Sequence, residues 1–130
     1  MSSTIERGFS VALAASQLSD APRAGLRMGS ALFSGSRLLS IGANVYARSH
    51  PDSDNGPDFV RSTHAEAQAL VRRQHYDGDR NLTLYIARRR ADGKQGCSKP
   101  CANCLELCRI AGVRRVRYFD TEGLTQELTL

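Results

Sequence analysis

Residues 98–104 read SKPCANC, two cysteines three positions apart directly behind a proline. Upstream, residues 62–70 read STHAEAQAL, with His64 and Glu66 two positions apart. Each stretch carries the marks of a helix start. Thr63 and Glu66 have capping-box spacing, and proline is favoured in a first helical turn. Between them runs NLTLYIARR at 81–89, where Leu82, Leu84 and Ile86 alternate with Thr83, Tyr85 and Ala87, the pattern of a strand. Two helices flanking one strand bring their first turns together only where both open at the same edge of a sheet. That requirement constrains the fold more than any other feature of the chain.

The remaining elements follow from turn signals. Residues 3–20 read as a first helix, with Ser3 and Glu6 at capping-box spacing, Ile5, Phe9, Ala12, Leu13 and Ser16 on one face, and SDAP at 19–22 closing it. Residues 27–33 and 37–46 read as two strands joined by SGS, and 47–62 as a loop rich in proline, glycine, aspartate and asparagine. A second helix is expected over 63–76. ADGK at 91–94 marks a turn, and a loop leads on to Pro100. A third helix is expected from about 100 to Gly112, with Leu105, Cys108 and Ile110 on its apolar side. VRRVRYFD is the fourth strand and LTQELTL the fifth. Only TEG at 121–123 separates these last two. A parallel crossover needs about a dozen residues, so 124–129 are predicted to pair antiparallel with 114–119. The order α-β-β-α-β-α-β-β implies a sheet with helices on its faces.

Length predicts one domain over 1–130. No apolar run approaches the roughly 18 residues of a membrane span. FSVALAAS at 9–16 imitates a signal-peptide core, but Glu6 sits where a basic segment belongs, and the stretch reads better as helix. The four cysteines are therefore expected in a reducing, cytoplasmic setting, where metal binding or catalysis outranks disulfides. The net charge is +5, with 16 arginines against 2 lysines. A basic surface suits a phosphate-bearing partner, either a nucleotide or a nucleic acid.

Zinc takes N and S ligands. Cys101 and Cys104 are spaced to face one ion from a single helix turn, and the electropositive start of a helix favours thiolates. With His64 they make three ligands. The fourth position is then open, the mark of a catalytic rather than a structural zinc site. Glu66 lies two residues from His64 and is the natural general acid and base.

H-x-E followed by P-C-x-x-C resembles the signature of zinc-dependent nucleobase deaminases. RMGSALFSGSRLLSIGANVY at 27–46 is similar to the hairpin that precedes the H-x-E helix in cytidine, deoxycytidylate and tRNA-adenosine deaminases, and LYIARR at 84–89 to the strand before their cysteine helix. The resemblance implies a three-layer α/β/α sandwich of the cytidine deaminase type with a mixed five-stranded sheet. It implies Zn2+ held by His64, Cys101 and Cys104, with Glu66 catalytic. Substrate contacts would come from Asn44, through the sugar, and from the backbone at Ala65, through the edge of the base. The implied reaction is hydrolytic deamination of a cytosine base, in a small-molecule nucleoside or nucleotide, to uracil and ammonia. Deamination of cytosine or adenine within DNA or RNA is the alternative. A homo-oligomer is implied, and no membrane partner. Residues 89–99, RRADGKQGCSK, depart from compact members of the family and read as a lid or a substrate-contact loop.

Simpler readings stand beside these. Glu66 is also a cap for Thr63, and Asn44 a strand-end residue. A structural zinc site would recruit Cys97 or Cys108 as fourth ligand. Cys108 reads as a core thiol and Cys97 as a free loop cysteine. The arginine groups at 72–73, 88–90 and 114–117 read as solvated faces, and His50 and His75 as exposed. A non-catalytic zinc-stabilised module is the third function class, and an intact Glu66 argues against it.

Overall fold

A computed structural model describes residues 4–19, 27–44, 69, 81–90, 92 and 95–130. The first helix, α1, spans Thr4–Ala15 and runs on into a 3-10 turn at Ser16–Leu18. Its buried face is Gly8, Phe9, Ala12 and Ala15, continued by Ser16. Ile5, expected on that face, is 43% exposed. It lies one turn ahead of Gly8, the first residue of α1 that packs on the sheet. Ser19 ends the 3-10 turn in extended conformation, as the SDAP signal anticipates.

Strands β1 (Met28–Ser34) and β2 (Arg37–Ala43) form the expected hairpin, although β2 stops at Ala43. Ser34 pairs with Arg37 across a two-residue turn, and Gly35 at its first position takes φ 59°. Hairpin loops of this length need such left-handed backbone, which glycine adopts freely. Opposite Leu32 and Phe33 the register shifts, because Leu39 is an extra residue in β2.

Strand β3 (Leu82–Arg89) lies between β1, antiparallel to it, and β5 (Val113–Phe119), parallel to it. A two-residue strand β4 (Gln95–Gly96) folds back along the end of β3. Helix α2 (Ala102–Ile110) crosses over to β5. Strand β6 (Thr125–Thr129) then returns antiparallel to β5, with Arg115 opposite Thr129 and Phe119 opposite Thr125. The prediction drawn from the short TEG linker therefore holds. The five long strands lie in the order β2-β1-β3-β5-β6.

The alternation in β3 is not one of core and solvent, since Leu82 through Ala87 are all buried. Leu82, Leu84 and Ile86 pack with Ala69, Cys108, Val113, Val116 and Tyr118 on one side of the sheet. Tyr85 and Ala87 pack with Phe9, Ala12, Ala31 and Phe33 under α1 on the other. A central strand with helices on both sides is buried on both faces, which gives the three-layer α/β/α sandwich with a mixed sheet.

Gly29 lets α1 settle directly on β1. A Cβ there would stand 2.0 Å from the Ala12 carbonyl oxygen and 2.4 Å from the Ser16 nitrogen. The 47–62 loop and the capping box at Ser3 lie outside the described residues. So does the expected 63–76 helix, apart from Ala69, which is helical and buried and whose carbonyl accepts a hydrogen bond from Ser40 Oγ at 2.7 Å.

Candidate active site

The cysteine pair stands at the start of α2. Cys101 is its N-cap, with extended backbone (φ −74°, ψ 165°), and Cys104 sits in the first turn. The backbone N–H of Cys104 donates to Cys101 Sγ at 3.4 Å. A thiol thus fills the role usually taken by a serine or aspartate oxygen at a helix start. Cys101 is exposed and Cys104 is 3% exposed, so the pair spans the surface and the buried side of the helix start. None of the four cysteines is in a disulfide. Two unbridged thiols in one helical turn, at the carboxyl end of a strand, fit two ligands of a zinc ion.

The rest of α2 shows where its apolar side lies. Cys104 and Cys108, four apart, face the sheet. Cys108 is fully buried, the core thiol that the sequence suggests. Ile110 was expected beside it and is 70% exposed. Two residues advance a helix by about 200°, so Ile110 points away from the face Cys108 occupies. Cys97 is half-buried and precedes the helix.

Ser98 is the residue near the site that sequence reasoning missed. It is fully buried. Its Oγ donates to the Ile86 carbonyl at 2.8 Å and accepts from the Phe119 N–H at 2.9 Å. Its own N–H donates to the Phe119 carbonyl at 2.9 Å. Nothing in SKP distinguishes this serine from any loop serine. Its importance comes from the gap between two strands distant in sequence. The 89–99 segment, expected to be a lid or contact loop, begins as a hairpin: Arg88 pairs with Gly96 and Arg89 with Gln95.

Asn44 lies just past β2 and is 6% exposed. Its Oδ1 accepts from the Met28 N–H at 2.9 Å, its own N–H donates to the Met28 carbonyl at 3.3 Å, and its carbonyl accepts from Ser19 Oγ at 2.7 Å. It therefore ties the end of β2 to β1 and to the end of α1, as a strand-end residue does. Met28 in turn lies opposite Arg88, so Asn44 stands at the same end of the sheet as the β3–β4 turn.

The arginines divide. Arg89, Arg90 and Arg114 are exposed, and Arg90 meets Asp92 at 3.1 Å. Arg88 is half-buried. Its Nε is buried without a hydrogen-bond partner among the described residues, packed where a Cβ on Gly96 would come within 2.6 Å. Arg117 is also half-buried, bonded to Glu127 and Tyr85. Arg115 is half-buried as well, so the solvated reading fails for Arg88, Arg115 and Arg117. His64, Ala65, Glu66, His50, His75 and Arg72–Arg73 lie outside the described residues. Among the described residues no helix is long and apolar enough to cross a membrane.

A family model described as the cytidine and deoxycytidylate deaminase zinc-binding region matches residues 2–120. No curated protein sequence matches the chain. Among solved structures, a dCMP deaminase from the cyanophage S-TIM5 in apo form is similar at 22% identity and TM-score 0.63, over 92% of this chain and 86% of the other. A cytidine deaminase from Burkholderia pseudomallei is similar at 18% identity and TM-score 0.64, over 95% and 90%. One from Mycobacterium leprae is similar at 21% identity and TM-score 0.61, over 97% and 94%. At these identities the structures establish a shared fold.

Proposed function

Since the chain belongs to the cytidine and deoxycytidylate deaminase zinc-binding-region family, we propose that it hydrolyses the exocyclic amine of a cytosine base, carried by a small nucleoside or nucleotide. Water is consumed, ammonia leaves, and uracil remains. The observation that carries this reading is the first turn of α2, where Cys101 and Cys104 lie together at the carboxyl end of β3. The matched region contains both HAE and PCANC.

In this reading His64, Cys101 and Cys104 hold zinc. When bound, zinc would supply hydroxide at neutral pH by lowering the pKa of water towards about 7. Glu66 carries one proton of the attacking water to the ring nitrogen and then the second to the departing amine. The Ala65 backbone orients the base through its amide edge, and Asn44 meets the sugar.

We assign the activity to a homo-oligomer in the cytoplasm. Leu107 and Ile110, 46% and 70% exposed on the outer side of α2, support a second copy packing there, and light scattering reads its size. The assay is direct. The purified chain is incubated with cytidine, deoxycytidine, CMP, dCMP, adenosine, and short DNA and RNA oligomers, and ammonia and base conversion are followed. Turnover of free cytosine substrates is expected. Turnover of oligomers alone would replace this reading with the polynucleotide one.

A further inference from the structure

β3 and β5 run as a parallel pair from Leu82 and Val113 to Tyr85 and Arg117. Beyond that point β4 takes the place of β5 beside β3, with Gly96 opposite Arg88. The two parallel strands therefore part, and the chain leaving β4 passes between them on its way to α2. Ser98 sits in the gap. Its hydroxyl is donor to Ile86 on one strand and acceptor from Phe119 on the other, and its N–H adds a second bond to Phe119. These three bonds satisfy backbone groups that the strands no longer offer each other, and buried groups of that kind need partners.

Only Lys99 and Pro100 separate this anchor from Cys101. Pro100 is buried; its ring fixes its own φ and restricts Lys99 to extended backbone. Little slack remains between the hydroxyl of Ser98 and the first thiol. The first turn of α2, with the Cys104 N–H on Cys101 Sγ, is thereby set against the ends of two strands, not left to a free loop.

We propose that Ser98 is a positioning residue for the metal-binding thiols: its hydroxyl, by locking Ile86 to Phe119, fixes where Cys101 and Cys104 stand. The inference rests on the zinc reading above and adds a residue that touches neither metal nor substrate. Groups that orient metal ligands from behind are worth roughly 10- to 100-fold in metal affinity when removed.

The test is zinc affinity by chelator competition, with the absorption spectrum of the cobalt-substituted protein, for wild type, Ser98→Ala and Val116→Ala. Val116 is fully buried in β5, opposite Leu84 and short of the gap, and serves as a destabilised control. Ser98→Ala is expected to bind zinc roughly 10- to 100-fold more weakly and to alter the cobalt spectrum, while Val116→Ala keeps both. Ser98→Thr and Ser98→Val give a second comparison, because their shapes match and only the hydroxyl differs. Thr should hold zinc better than Val. Equal affinities for Ser98→Ala and wild type, equal affinities for Thr and Val, or losses that merely track stability in Val116→Ala would overturn the inference. A wild-type chain that binds no zinc would instead remove the reading beneath it.

Discussion

Arg117 donates a hydrogen bond through Nη1 to the phenolic oxygen of Tyr85 at 2.6 Å, joining a half-buried cation on β5 to a buried aromatic ring under α1. The same guanidinium lies 5.4 Å from the centre of the Tyr85 ring and bonds Glu127 on β6 through Nε at 2.8 Å. Tyr85 is 1% exposed and packs edge-on against Phe9 and Phe33, with ring centres 5.3 and 5.4 Å away. Burial opposes the charge of Arg117, yet the Glu127 carboxylate and the Tyr85 hydroxyl hold its pKa above the ordinary value. Tyr85→Phe keeps the ring packing and removes the acceptor. Hydrogen bonds to charged groups contribute about 1.5–3 kcal/mol, and with Glu127 still in place the lower end is expected. Urea unfolding of the pure variant checks it, and an unchanged midpoint would show the bond to be idle.

Arg88 gives a prediction of opposite sign. Its buried Nε has no hydrogen-bond partner among the described residues, and a buried unmet donor costs about 1–3 kcal/mol. Arg88→Met retains an unbranched chain that packs on Gly96 without the donor. The variant should be at least as stable as wild type, by up to about 1 kcal/mol. A clear loss in thermal unfolding would mean that the guanidinium has a stabilising partner in solution.

Glu66→Gln should retain zinc and the fold while turnover falls by roughly 10²–10⁴-fold, the usual worth of a general acid and base. Cys101→Ala or Cys104→Ala should lose zinc and stability together, because metal binding is coupled to folding. Metal analysis beside ammonia release separates the two classes of variant. Wild-type turnover in Glu66→Gln would reduce Glu66 to a helix cap.

The β5–β6 turn carries a pH dependence. Asp120 accepts from Gln126 Nε2 at 2.9 Å through Oδ2, and from the backbone N–H groups of Leu124 and Glu122 through Oδ1. The Gln126 bond first, then the Leu124 bond, holds its pKa below the ordinary carboxylate value. A depressed folded pKa means that the charged form is favoured in the folded state. The stabilisation is therefore complete above the unfolded pKa of about 3.9 and is lost as pH falls through the lower folded value. Asp120→Ala should be less stable than wild type at pH 7, and the difference should close below about pH 4. A gap independent of pH would assign the effect to backbone shape alone.

What the sequence disclosed depended on how local the signal was. The β5–β6 pairing was legible because TEG is too short for anything but a hairpin, and Cys108 because it falls four residues after Cys104. The two-sided burial of β3 was not, since Thr83, Tyr85 and Ala87 look like a half-polar face until α1 is placed over them. Ile110 misled because apolar character was counted without its angle on the helix. Gln95 and Gly96 carry no strand signal, and their pairing with Arg89 and Arg88 shows only in the fold. Ser98 depends wholly on Ile86 and Phe119, neither of which is near it in sequence. Of the candidate site, the placement of Cys101 and Cys104 in one first helical turn was legible from their spacing; His64, Ala65 and Glu66 lie outside the described residues.

The return of β4 along β3 has a consequence for how this region tolerates change. Everything between Arg90 and Gln95 lies before the ladder pairs that bring the chain back, and the bonds of Ser98 lie after them. A longer or shorter hairpin tip is thus insulated from the helix that follows. Drift can rewrite that tip, and an engineer can graft a loop or a reporter into it, while the thiols behind Ser98 keep their place.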